Sequence, residues 1–193
     1  MEPSSLASDS GARPVVALGI TGSIAAYKAA DLTSKLAQAD VDVHVLMTAS
    51  AMKLVQPRTF LTLSRNPVIT DLWEVSAWRP GHIALAERAS VLIIAPATAN
   101  ILGKMANGLA DDALSTYCLS HSGAVVVAPA MNPRMWNHPA VQANVETLLA
   151  RGVRFVGPDS GRVACGADGA GRMAPVDDIL AVVNEILGLG HVK

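Results

Sequence analysis

The chain has 193 residues, which is enough for one α/β domain with a sizeable core, and its formal net charge is −1. The basic residues form no run, so neither nucleic acid nor an anionic membrane surface is expected as a partner. Hydrophobic residues make up 51% and charged residues only 16%, against about a quarter charged in an average soluble chain. Because a monomer with so few charged residues would lack enough polar residues to cover its surface, we expect interfaces between subunits.

Cysteine usage and the N-terminal residues bear on where the protein works. Cys118 and Cys165 have neither the spacing of metal ligands nor a disulfide pattern, which favours a reducing cytoplasm. The apolar helical context of Cys118 predicts that it is a core residue. Residues 1–13 are polar, rich in serine and contain Glu2 and Asp9, which is unlike a targeting peptide and predicts a disordered tail. No apolar run approaches the roughly 20 residues of a bilayer span, so we expect a cytoplasmic protein without membrane contact.

The first apolar run, 15–20, predicts a strand, and residues 21–28 predict a tight turn into a helix that continues to about Gln38. Gly22 allows close backbone approach to a ligand, Ser23 can cap the helix, and the amides at a helix start attract anions. The turn matches neither GxGxxG nor a Walker A loop. It therefore predicts a phosphate site without identifying the carrier, and an ordinary βα turn remains the alternative.

The second strand is predicted over 41–47 and ends beside Thr48 and Ser50. Their hydroxyls lie at the same carboxyl edge as the first turn, where they are suited to hold the same phosphate. His44 lies inside the strand and is interpreted as a structural histidine. Residues 51–74 predict a short helix and a weak strand between prolines.

A turn over 78–82 leads into a short helix that begins at His82. The positive end of a helix favours the neutral form of a histidine ring, which suits a general base. His82 is therefore a candidate base, and the alternative is a surface or capping residue.

The buried strand predicted over 91–95 ends in the small residues 96–100, Pro-Ala-Thr-Ala-Asn, which would let a flat ring system lie against the backbone. A long helical stretch follows and is interrupted at Gly108. Asp111 and Asp112 are adjacent in sequence and cannot share a helix face, so we interpret them as caps of its second half.

The next buried strand, 124–128, delivers residues 129–136, Pro-Ala-Met-Asn-Pro-Arg-Met-Trp, to the carboxyl edge of the sheet, where ligands bind in open α/β folds. Asn132 offers an amide with two donors and an acceptor, the two methionines offer soft apolar walls, and the prolines limit backbone freedom. This octad predicts a preformed pocket wall. The alternative is a proline-rich turn in which Trp136 anchors the packing.

A helix over 138–151 and a last strand over 153–156 precede a segment of different composition, 157–173. That segment contains five glycines, two arginines and Cys165 without apolar periodicity, and it predicts a loop that closes over a ligand as a flap. A flexible surface loop with an incidental cysteine is the alternative. A terminal helix is predicted over 176–187.

Strands alternate with helices along the chain, which predicts an α/β fold with a single Rossmann-like, doubly wound parallel sheet. We expect one domain over 14–190, a flavodoxin-like three-layer sandwich that carries the flap.

Several separated motifs resemble the homo-oligomeric flavin-containing cysteine decarboxylases, in particular their phosphopantothenoylcysteine decarboxylase branch. The resemblance covers roughly residues 15–187. The motifs that carry it occur in the family's order: 21–28, 81–83, 96–100, 110–112, the octad 129–136, 164–166 and 171–173.

This resemblance implies site residues. FMN would be held by the first turn, the end of the second strand and the 96–100 segment, namely by Gly22, Ser23, Ile24, Thr48, Ser50, Thr98, Ala99, Asn100 and Ala130. His82 would be the base, Asn132 would bind the substrate carboxylate and Cys165 would donate a proton. Arg162 and Ala164 would contact the substrate. The chain has Ile101 where the family usually has threonine, so one flavin contact would be missing if that threonine bonds the flavin.

The chemistry implied is oxidative decarboxylation of 4′-phosphopantothenoylcysteine to 4′-phosphopantetheine. Oxidation of the CH2–SH carbon to a thioaldehyde by hydride transfer to FMN supplies an electron sink for the loss of CO2. His82 would remove the thiol proton and Asn132 would orient the carboxylate. The resulting enethiol would take back the hydride and receive a proton from Cys165.

Other readings of the resemblance stay open. One is a peptidyl-cysteine decarboxylase that stops at the enethiol, although such relatives usually lack the cysteine of the 164–166 motif. Another is a non-catalytic flavoprotein regulatory subunit, although those carry acidic tails, and the octad disfavours a flavin prenyltransferase. The family implies a homotrimer or dodecamer, and the sequence does not decide between a stand-alone enzyme and a domain cut from a fusion with a cysteine ligase.

Overall fold

The computed structural model describes residues 13–73, 81–162, 166 and 168–189, without the side chains of 81–83 and 162. The predicted disordered tail lies outside the described residues except for Arg13. Within the described part, five strands form a parallel sheet in the order β2-β1-β3-β4-β5. These strands are β1 (Val15–Ile20), β2 (Asp42–Met47), β3 (Val91–Ala97), β4 (Ala124–Pro129) and β5 (Arg154–Phe155). The predicted doubly wound parallel sheet is confirmed.

Helices cover both faces of the sheet. A 3-10 helix (Ile24–Tyr27) runs directly into α1, and the α-helices are α1 (Lys28–Gln38), α2 (Ala49–Met52), α3 (Pro57–Ser64), α4 (Gly81–Arg88), α5 (Ala99–Asn107), α6 (Ala113–Ser120), α7 (Pro133–Trp136), α8 (Pro139–Ala150) and α9 (Val176–Leu187). None of the helices in the described ranges has the length and apolar character of a bilayer span.

The core consists of two apolar clusters, one on each face of the sheet. Successive residues of β1 alternate between them, with Val16 and Leu18 in the first cluster and Ala17 in the second. Helices α1, α3 and α9 complete the first cluster, and α4, α5, α6 and α8 complete the second. Strand β3 is buried along its whole length, as expected of a strand covered on both faces. The predicted three-layer sandwich is therefore confirmed.

Of the predicted signals between α5 and α6, the break at Gly108 and the cap at Asp112 are confirmed, whereas Asp111 is not a cap. Gly108 ends α5 with a φ of +68°, a left-handed conformation that glycine adopts without strain. Asp112 caps α6 in a capping box with Ser115, and its carboxylate is 2.7 Å from Lys104 Nζ. Asp111 pairs with the same lysine. These ion pairs hold the end of α5 against the start of α6.

The 157–173 segment differs from its sequence prediction. The sequence predicts a loop after a last strand, but strands β6 (Asp159–Arg162) and β7 (Asp168–Arg172) form an antiparallel ribbon. The pattern gives no strand signal because glycines lie where alternating apolar side chains would be. Gly161 and Gly169 face each other with φ values of +141° and +143°, which L side chains rarely adopt. The prediction of a segment without strands was wrong, and its role as a flap over a ligand stays a prediction.

Candidate functional site

A cleft of about 770 Å³ opens at the carboxyl edge of the sheet. It lies between the ends of β1 and β3, where the strand order reverses and where open α/β sheets bind ligands. The first βα turn, the end of β3, the octad and the end of β7 all contribute to its lining. Six of the residues predicted for cofactor or substrate are among them: Gly22, Ser23, Ile24, Thr98, Ala130 and Asn132.

The turn after β1 forms the first wall. A Cβ atom at Gly22 would collide with the Cβ atom of Ser50, so this turn needs glycine to pack against the start of α2. Ser23 caps the 3-10 helix by accepting a hydrogen bond from the amide of Ala25. In the described part of the chain the amides of Gly22 and Ile24 form no hydrogen bond. Unpaired amides at a helix start are suitable donors to an anion.

The octad forms the opposite wall. Ala130 donates its amide to the carbonyl of Ala97 at 2.9 Å, and Met131 donates its amide to the carbonyl of Gly171 at 3.0 Å. Asn132 caps α7, because its side-chain oxygen accepts a hydrogen bond from the amide of Arg134 at 2.8 Å. The cap fixes the orientation of the Asn132 amide at the cleft. The predicted preformed wall is confirmed.

The octad also has the packing role that was its alternative interpretation. Trp136 is partly buried and packs against the second core cluster, while Met131 and Met135 line the cleft. Gly171 allows β7 to approach this wall closely, since a Cβ atom there would collide with the carbonyl oxygen of Met131. The ribbon and the octad thus form one continuous wall.

Lys28 and Tyr27 line the cleft without having been predicted. The ammonium group of Lys28 donates a hydrogen bond to the carbonyl of Met173 at 3.4 Å, which links α1 to the residue after β7. A signal was present in the sequence: Lys28 follows Ile24 by one helical turn, so both project from the same side. Together with Arg172, Lys28 brings positive charge into the lining.

Four predicted cofactor residues lie at the same sheet edge but not in the lining of the cleft. Thr48 caps α2 by accepting a hydrogen bond from the amide of Ala51. Ser50 packs against Gly22, Ala99 packs against the second core cluster, and Asn100 is exposed. Their roles in cofactor binding stay predictions.

Several other predictions concern residues away from the cleft. Ile101 is buried in the second core cluster, so its side chain contributes packing and not a wall of the cleft. His44 lies 3.1 Å from the carboxylate of Asp42, as expected of a structural histidine. Cys118 packs against the second cluster, and burial raises the pKa of its thiol to about 12. The structural interpretation of His44 and the core-packing interpretation of Cys118 are confirmed.

The predicted base and acid cannot be located from their side chains. The side chains of His82 and Arg162, and all of Ala164 and Cys165, lie outside the described residues. The backbone of His82 is in the first turn of α4, as predicted. The catalytic roles of these residues stay predictions from the resemblance.

Comparison with known proteins identifies the family. Residues 4–188 match the family model described as Flavoprotein. The chain belongs to the flavoprotein family. Because the match includes the first turn, the octad and the ribbon, all walls of the cleft belong to the flavoprotein domain.

Curated relatives of this flavoprotein include coenzyme A biosynthesis bifunctional proteins CoaBC. The protein from Bacillus subtilis (strain 168) is 46% identical over 171 residues, which are 88% of the chain and 42% of the relative. The protein from Escherichia coli (strain K12) is 42% identical over 183 residues, which are 92% of the chain and 45% of the relative. The chain therefore spans less than half the length of these relatives.

Solved structures with the same fold include a PPC decarboxylase cysteine-to-serine mutant in complex with pantothenoylaminoethenethiol. It has a TM-score of 0.81 and 30% identity, with 92% of this flavoprotein and 100% of that chain covered. The FMN-dependent cysteine decarboxylase SpaF has a TM-score of 0.77 and 32% identity, with 91% and 97% covered. The FMN binding protein AtHal3 has a TM-score of 0.78 and 29% identity, with 94% and 100% covered.

Proposed function

We propose that this flavoprotein is an FMN-dependent carboxy-lyase that converts 4′-phosphopantothenoylcysteine to 4′-phosphopantetheine in coenzyme A biosynthesis. The observation that carries the proposal is the single cleft lined by both the β1 turn and the octad. The similarity to CoaBC proteins and to a PPC decarboxylase structure supports the same activity. As an enzyme of this class, the protein would work in the cytoplasm.

The residues of the cleft fit FMN. The amides of Gly22 and Ile24 provide donors for one phosphate, and the short turn has no second phosphate site for FAD. Thr98 and Ala130 are small enough to let a flat ring approach the backbone, and methionines add an adaptable apolar surface. When bound, FMN supplies a hydride acceptor and donor that the protein's own side chains lack.

The chain's own residues would bind the substrate and move its protons. Asn132 would donate its side-chain amide to the substrate carboxylate, and the cap on α7 would keep that amide oriented. His82 would remove the proton of the substrate thiol during oxidation of the CH2–SH carbon. After CO2 leaves, Cys165 would donate a proton to the enethiol carbon that carried the carboxylate. Because bound FMN would supply both a hydride acceptor and a hydride donor, substrate and product are at the same oxidation level.

The cofactor assignment predicts that purified protein is yellow and releases FMN on denaturation. Only one phosphate site is available in the first turn, so FMN and not FAD or a nicotinamide should be recovered. Mass spectrometry of the released compound, together with its absorbance spectrum, makes the measurement. Protein that contains no flavin, or only FAD, would contradict the proposed function.

We also propose that the protein forms homotrimers, which can assemble further into dodecamers. Ile24 and Tyr27 are 63% and 64% exposed at the mouth of the cleft, where a second subunit would cover their apolar surface. Light scattering at low micromolar concentration should therefore give the mass of a trimer or of a multiple of it. A monomer that keeps its flavin and its activity would refute the subunit interface.

A second candidate is the decarboxylation of a peptidyl cysteine that stops at the enethiol. The identity to the FMN-dependent cysteine decarboxylase SpaF, 32%, is about the same as the 30% to the PPC decarboxylase structure, so identity alone does not separate one cysteine-containing substrate from another. Assays with 4′-phosphopantothenoylcysteine and with a peptide that ends in cysteine separate the two. We expect turnover of the small molecule and none of the peptide.

A further inference from the structure

A buried threonine lies directly beneath the floor of the cleft. The hydrogen-bonded register between β1 and β3 ends at Gly19 and Ile94, and both chains then continue into the turns that line the cleft. Thr21 is 2% exposed in the gap between them. Its hydroxyl donates a hydrogen bond to the carbonyl of Pro96 at 2.6 Å and accepts one from the amide of Thr98 at 3.1 Å. The side chain thus continues the connection after the strand pairing stops.

This hydroxyl joins two neighbouring parts of the cleft lining. Gly22, the next residue, begins the first wall, and Thr98 contributes to the lining on the β3 side. Residues 21–24 and 96–99 are all described, and between them the structure contains no other hydrogen bond. The hydrogen-bonded link between these two turns is therefore made by one side chain, which does not itself line the cleft.

We propose that Thr21 is a positioning residue that sets the spacing between the β1 turn and Thr98 and thereby the affinity for FMN. The nature of the ligand rests on the proposed function, whereas the link between the two turns rests on the hydrogen bonds of Thr21 alone. A hydroxyl that both donates and accepts is required. Valine has the same shape and can do neither, while serine can do both.

The test compares Thr21→Val with Thr21→Ser and with a matched control, Thr33→Val. Thr33 is also fully buried, and its hydroxyl donates a hydrogen bond at 2.7 Å to the carbonyl of Ala29, but both residues lie within α1 and outside the cleft lining. Three quantities are measured on the full chain: the dissociation constant for FMN, the hydrogen exchange of the Thr98 amide without added flavin, and the free energy of unfolding.

In Thr21→Val, we expect the dissociation constant for FMN to rise about tenfold. We also expect the Thr98 amide to exchange at least about tenfold faster, measured relative to amides in the core of β3. Both changes are of the size expected when one buried hydrogen bond is lost. For Thr21→Ser, the dissociation constant for FMN and the exchange rate of the Thr98 amide should both stay within about threefold of the wild-type values. Thr33→Val should lower the free energy of unfolding and leave FMN affinity and Thr98 exchange unchanged.

The proposal would be overturned if the Thr98 amide of Thr21→Val exchanged at the wild-type rate. It would also be overturned if Thr33→Val lost as much FMN affinity as Thr21→Val. A wild-type protein that binds no FMN would contradict the proposed function instead. The exchange of the Thr98 amide then still decides whether Thr21 holds the two turns together, because that measurement needs no flavin.

Discussion

Replacing Asn132 with aspartate should lower kcat/KM for 4′-phosphopantothenoylcysteine by about a thousandfold, because like charges placed together cost several kcal/mol and each 1.4 kcal/mol is about tenfold. The substitution exchanges an amide that binds the substrate carboxylate for a second carboxylate. The fold should be retained, since aspartate accepts the amide of Arg134 as a helix cap as well as asparagine does. Single-turnover assays should detect neither CO2 release nor a change in flavin absorbance.

Asn137→Asp is the matched control for this prediction. Asn137 is exposed at the other end of the same short helix and does not line the cleft. It undergoes the same change of charge a few residues away, so a general electrostatic effect on substrate binding would appear in both variants. Equal losses of activity in the two variants, or normal activity of Asn132→Asp, would show that Asn132 does not bind the carboxylate.

The sheet and most helices could be predicted because their signals are local. Strand β3 is a continuous apolar run, and such runs are typical of strands buried on both faces. Gly108 and Asp112 mark the break between α5 and α6, and Gly188 ends α9 with a φ of +65°, as the sequence indicates. Each of these signals acts within a few residues, so no knowledge of the tertiary structure is needed.

The β6–β7 ribbon could not be predicted in the same way. Its pairing brings Gly161 opposite Gly169, and neither has a side chain whose alternation could report a buried face. The ribbon is instead held by its contact with the octad, where the Met131 amide bonds to the carbonyl of Gly171. These two residues, at positions 131 and 171, are 40 positions apart in the chain. Only the tertiary structure reveals this contact.

The residues of the candidate site differ in the same way: local signals predict some of them, and only tertiary contacts reveal the others. Gly22 and Asn132 could be proposed from their residue types and from their position after predicted strands. Thr21 has the same kind of position, but its partners, Pro96 and Thr98, are 75 and 77 residues away, and nothing local indicates that its hydroxyl meets them. The position of His82 at a helix start made it a candidate base with a capping role as the alternative, and only the resemblance favoured catalysis. The role of Cys165 as proton donor came from the resemblance, because a lone cysteine has no pattern that requires catalysis.

Replacing Cys165 with serine should leave oxidation and CO2 loss intact and block the formation of saturated product. A serine hydroxyl is a far weaker acid than a thiol with a pKa of about 8.5, so the enethiol would receive no proton. Under anaerobic conditions the enethiol, about two mass units lighter than the saturated thiol for the two missing hydrogens, should accumulate for about one turnover. Mass spectrometry of the product and flavin absorbance, followed together, make the measurement.

Cys118→Ser is the control, because Cys118 is the other cysteine of the chain and packs against the core away from the cleft lining. Burial raises the pKa of its thiol to about 12, so it is a poor proton donor at neutral pH. This variant should make the saturated thiol over many turnovers. If Cys165→Ser also made it at the wild-type rate, Cys165 would not be the acid. The proposed substrate would then lose its main advantage over a peptidyl cysteine, whose decarboxylation needs no such acid.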